Sequence, residues 1–219
     1  MASAEKLTES GRVVSPFATV GRYFEALPDG WDSFPAFVAR ASLLGSLRER
    51  GALDALEALP DRLLPRILLD TLAATSEWLP EVVHVAMLLA VRDVRFGAGP
   101  RGDEDFQRWL DQLNRELLDQ PENTGAMIVA SPADYVPRLA AVWTTFHEGT
   151  PAVVVPLAPN RAVLTVSHPA VLFPAIALES RRRAFALALA KQGAVQPNVA
   201  VQTEVTGADA RTAFDATWA

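Results

Sequence analysis

Phe37, Ala41, Leu44 and Leu47 recur at helical spacing, and Gly51 stands where such a helix would stop. Leu53, Leu56 and Leu59 extend the pattern as a short helical piece up to Pro60. Leu64, Leu68 and Leu72 mark another helix, with Pro65 in its first turn, where a missing N–H is tolerated. Beyond Pro80, residues 81–94 are apolar on nearly every side, the pattern of a helix central to the core. The loop Gly97-Ala98-Gly99-Pro100-Arg101-Gly102 breaks the chain. Asp103, Glu104 and Asp105 then sit at the positive end of the next helix, where acidic groups are favoured. Its inward face is Phe106, Trp109, Leu110, Leu113 and Leu117. A further helix follows Ser131-Pro132, with Leu139, Val142, Trp143 and Phe146 inward and Pro137 delaying or kinking it.

After Gly149 the period changes. Residues 153–157 and 161–167 are β-rich runs around Ala158-Pro159-Asn160, which predicts a hairpin. A helix is expected from about Pro174 to Lys191, ending at Gly193. Val199, Val201 and Val205 mark a third strand, and a turn at Thr206-Gly207-Ala208-Asp209 leads to a fourth over residues 212–218. The expected fold class is therefore α+β, an N-terminal helical lobe packed on a C-terminal β-β-α-β-β antiparallel sheet unit. The division expected is an arm over residues 1–30, partly docked through Phe17, Tyr23 and Phe24, a helical lobe over 31–150 and the β-β-α-β-β lobe over 151–219. Together these make one globular domain.

Composition narrows the function classes. At 219 residues, with 50% apolar and 21% charged side chains, the chain is globular rather than disordered. It has no cysteine, which excludes disulfides, thiolate metal sites and cysteine nucleophiles. The net charge is -6 and only Lys6 and Lys191 are lysines, a poor composition for binding nucleic acid or an anionic membrane. The first fifteen residues carry charges and no apolar run, unlike a signal or transit peptide. The longest charge-free apolar helical run, Val82 to Val91, is too short for a membrane span. A cytoplasmic protein is the expectation.

The candidate chemical groups are few. His84 shares a helical stripe with Glu81, Leu88, Arg92 and Arg95, which predicts an exposed or bridging histidine, with a ligand or base role as the alternative. His147 precedes Glu148-Gly149 at a helix end, and His168 precedes Pro169 at a strand end. No two histidines have metal-binding spacing, so no metal is expected. Nucleophile elbows and phosphate-cradling glycine loops are missing, so an enzyme is not the favoured class. The triplet Arg181-Arg182-Arg183 fans through about 200° of helix, so at least one arginine approaches the buried face. The bland reading is a solvated edge with Glu179 pairing locally. The sharper one is a contact for an anion or a partner's carboxylate. Trp31, Trp78, Trp109, Trp143 and Trp218 are spaced as core anchors and form no ladder for stacking bases.

The run Leu53-Asp54-Ala55-Leu56-Glu57-Ala58-Leu59-Pro60, the segment Trp78-Leu79-Pro80 and the tail closing on Ala213-Phe214-Asp215-Ala216-Thr217-Trp218 resemble a myxobacterial paralogous family of unknown function. The order of helices followed by β-β-α-β-β is also similar to a wider group. That group includes vinyl-reductase-type domains, haem nitric-oxide-binding domains and small subunits of transport-particle tethering complexes. The resemblance implies a domain that binds haem, apolar small molecules or acyl chains, or serves as a dimeric platform. Haem-binding members carry Tyr-x-Ser-x-Arg, whereas Tyr135 is followed by Val136-Pro137-Arg138 and Tyr23 also lacks the motif. No cofactor is therefore expected. The leading expectation is a non-enzymatic regulatory or protein-interaction module, homodimeric because so apolar a chain leaves an exposed apolar patch. The alternative is a binding module for an apolar small molecule or acyl chain, in a pocket between sheet and helices.

Overall fold

The computed structural model describes residues 17–43, 60, 77–97, 99–119 and 131–219. Its first helix, α1 (Ala18–Ala26), has no capping side chain of its own at Phe17. Asp93 supplies one from afar: its Oδ2 accepts from the Thr19 amide at 2.7 Å and the Val20 amide at 3.0 Å. These are donors that a helix start leaves open. Val20 and Tyr23 point into the core.

A small antiparallel sheet comes next, with β1 (Val38–Arg40) between β2 (Trp78–Pro80) and β3 (His147–Glu148). The helical spacing of Phe37 and Ala41 is overturned here, because the residues between them are extended and pair with Trp78–Pro80 on one side and His147–Glu148 on the other. Strands this short show no alternation, and the partners that stabilise them are remote in sequence. Gly149 turns the chain away from β3 at φ +78°, and a Cβ there would lie 2.1 Å from the Ala36 carbonyl oxygen. Only glycine meets both demands. The helical readings through Leu44 and Leu47, over residues 53–59 and over residues 64–72 fall outside the described residues.

Every residue of α2 (Glu81–Val91) is buried, as a stretch apolar on all sides requires. It widens into a π-helical turn at Arg92–Phe96 before α3 (Pro100–Asp119), whose Phe106, Leu110, Leu113 and Leu117 face inward. Ser131 caps a helical turn, Pro132–Tyr135. Pro137 then falls in a tighter turn, Val136–Arg138, and α4 (Leu139–Phe146) begins only after it.

The tail is a four-stranded antiparallel sheet of β4 (Ala152–Ala158), β5 (Arg161–Pro169), β6 (Asn198–Thr206) and β7 (Asp209–Thr217), in the order β4-β5-β7-β6. Between β5 and β6 runs α5 (Ala175–Lys191). On one face of the sheet Leu164, Val166, Val199, Phe214 and Ala216 are buried together with Phe185 and Leu189 of α5. The α+β class holds, with helices first and the antiparallel tail after them. Among the described residues no helix is long and apolar enough to cross a membrane.

Candidate functional site

A cavity of about 170 Å³ lies where the helices meet the sheet. Its walls are apolar: Leu113 and Leu117 from α3, Val142 from α4, Phe185 from α5, and Leu164 and Phe214 from the sheet. These positions converge because each is the inward one of its own element, spaced by 3.6 residues on the helices and by two on the strands. Polar side chains also reach the lining, namely His84, Asn114, His147, Ser180 and Arg181.

Three of them meet on one buried carboxylate. Glu81, with no exposed surface, accepts from Arg181 Nη2 at 2.6 Å and from His84 Nδ1 at 3.1 Å through one oxygen. Its other oxygen accepts from His147 Nδ1 at 2.8 Å. Burial alone would raise the Glu81 pKa, but His147, His84 and Arg181 outweigh it and hold the group well below the ordinary carboxylate value. For His147 burial wins: the imidazole is held below its ordinary value although Glu81 pulls the other way. Arg181 donates a second bond to the Ala177 carbonyl and lies 3.9 Å over the Phe173 ring. Trp143 stacks on His147 with ring centres 4.3 Å apart and anchors its own indole N–H on Thr150.

An ionised carboxylate only accepts, so both imidazoles carry their proton on Nδ1. With His147 neutral, its Nε2 bears a lone pair. Neither Nε2 is hydrogen-bonded to a described residue, and both rings line the cavity. Arg181 Nε and Asn114 Nδ2 are buried donors without partners. Ser180 is on the same lining, but among the described residues neither imidazole bonds to its hydroxyl. A Glu–His–Ser relay of the hydrolytic kind is therefore not closed.

Sequence and structure meet unevenly at this site. Of the arginine triplet only Arg181 turns inward. Arg182 is bidentate to Glu179 at 2.7 Å on each oxygen and also reaches the Val199 carbonyl. Arg183 bridges Glu179 and Asp111. His84 is buried rather than set on a solvent-facing side. His168 is apart from the cavity, with Nδ1 donating to the Pro169 carbonyl at 2.8 Å and Nε2 accepting from Thr212 at 2.9 Å. Glu81 and the pairing of His84 with His147 were not singled out from the sequence.

No family model matches the chain, and no curated protein matches it. Solved structures do. One, from work probing the function of haem distortion in the H-NOX family, has a TM-score of 0.52 at 8% identity and covers 82% of this chain and 94% of its own. Another, from work on the molecular mechanism of H-NOX activation, has a TM-score of 0.51 at 9% identity and covers 81% and 93%. The likeness to haem nitric-oxide-binding domains is thus met as one of fold.

Proposed function

We propose that the chain is a non-enzymatic sensor module that binds an apolar small molecule in the cavity between α3, α4, α5 and the sheet. The observation that carries this reading is an apolar chamber with a few polar groups converging on it, the usual make-up of a ligand site. The H-NOX-like fold is compatible with it, since work on the solved neighbours concerns H-NOX activation and haem distortion.

Haem itself does not fit the residues described here. A ligating atom is available in His84 or His147 Nε2, each backed by a carboxylate as metal-bound imidazoles are. Room is not. The chamber of about 170 Å³ is near the size of an engineered cavity of about 150 Å³ that takes benzene, and a tetrapyrrole is several times larger. The Tyr-x-Ser-x-Arg motif is also missing.

Native mass spectrometry of the purified protein, with an absorption spectrum, tests the reading. Extra mass of small-molecule size without a Soret band is the expected result. A Soret band would reverse the exclusion of haem. A clean mass, together with no rise in melting temperature across a panel of apolar additives, would refute the binding reading.

A second reading, an interaction surface for a protein partner or a second copy, is favoured by the outer face of β4. There Val153, Val155 and Leu157 alternate on one side of an edge strand and are 60%, 47% and 53% exposed. A concentration-dependent dimer in sedimentation, lost on Val155→Lys, is its expected signature.

A further inference from the structure

The polar groups on the cavity define the head of the ligand that the reading above requires, and the inference rests on that reading. Arg181 neutralises Glu81 at 2.6 Å, so the wall carries no net charge to offset an ionised guest. Burying an unpaired charge costs several kcal/mol, which selects an uncharged ligand. The carboxylate fixes both imidazoles as Nδ1–H tautomers and leaves the opposite nitrogens to accept. The unpartnered donors nearby, Arg181 Nε and Asn114 Nδ2, have almost no accessible surface and are shut off from a guest. A hydroxyl group is an uncharged donor, so it answers those imidazole acceptors. We propose that the cavity takes a compact, uncharged alcohol, with its O–H donated to His84 or His147 Nε2 and its hydrocarbon body among the leucines of α3.

The size of the chamber, about 170 Å³, sets the scale at a single six-membered ring with a short substituent. Three probes of nearly equal volume separate the contributions. Cyclohexylmethanol has the hydroxyl, its isomer methoxycyclohexane keeps an acceptor oxygen without a donor, and ethylcyclohexane has neither. Titration calorimetry on the full chain is expected to give cyclohexylmethanol roughly tenfold tighter binding than either of the others, the worth of one well-made buried hydrogen bond. The ether or the hydrocarbon binding as tightly as the alcohol would overturn the inference and leave the binding reading standing. The same holds if none of the three binds while native mass spectrometry shows a carried molecule. If nothing is carried and nothing binds, the binding reading itself fails.

Nitrogen-15 spectra of the histidine rings give a readout that needs no substitution. Both His84 and His147 are expected with a protonated Nδ1 and a bare Nε2, and at least one Nε2 signal moves when cyclohexylmethanol is added. Rings protonated at Nε2 in the free protein, or Nε2 signals that stay put on saturation, sink the proposal.

Discussion

Glu81→Gln is the sharpest perturbation the structure offers, because it keeps the shape of the side chain and removes only its charge. In the native protein the carboxylate is fully buried and receives Arg181, His84 and His147 at 2.6, 3.1 and 2.8 Å. The amide leaves the Arg181 guanidinium buried beside a neutral group and points its own NH2 at one of three donors. Breaking one side of a buried ion pair costs about 3–5 kcal/mol. For a chain of this length each kcal/mol moves the melting temperature by about 2–4 °C, so a fall of roughly 6–20 °C is expected. Urea unfolding followed by circular dichroism measures the same loss as a lower midpoint with an unchanged slope. If Glu81→Gln falls within about 1 kcal/mol of the parent, the ionic cluster is not what secures this wall and the tautomer argument built on it collapses.

Stability should also fall with acid in two stages. Burial holds His147 and His168 below their ordinary value of 6.5, so as pH drops through that value the unfolded chain takes up protons that the folded one refuses. Below the ordinary carboxylate value of 4.5, Glu81 adds to the loss, because its folded pKa is far lower and the unfolded group protonates first. Melting temperatures that stay flat between pH 7 and 5 would contradict the first stage. Asp93→Ala removes the remote cap of α1 and the buried ion pair with Arg92, so it should cost more than the roughly 1 kcal/mol of a cap alone, with faster amide exchange in residues 18–26 as the signature. Gly149→Ala puts a methyl group 2.1 Å from the Ala36 carbonyl oxygen at a φ of +78°. It should destabilise by more than about 1 kcal/mol and loosen the β1–β3 pairing in hydrogen exchange.

The two halves of the chain were not equally legible, and the reason is the range over which each element is stabilised. The tail announces itself locally. Ala158-Pro159-Asn160 and Thr206-Gly207-Ala208-Asp209 punctuate runs of alternating residues, and the observed strands and helix lie within a few positions of where that pattern puts them. The small sheet has no such signal. Three residues at Val38–Arg40 cannot display a period, and the two strands that pair with them are supplied by distant parts of the chain. The ionic cluster was hidden for a related reason with a different lesson. Glu81, His84, Leu88 and Arg92 form one stripe of α2, and a polar stripe on a helix is ordinarily the side that faces water. The rest of α2 is so apolar, however, that the helix has no side left for solvent. Polar groups on a helix buried all round must find partners inside the protein, and that signal was present in the sequence. The fan of Arg181-Arg182-Arg183 likewise required one guanidinium to turn inward, where it needs a carboxylate. What neither pattern could supply was the pairing itself, because Glu81 lies far from both His147 and Arg181 in sequence and only the packing of α2 against α5 and β3 brings them together.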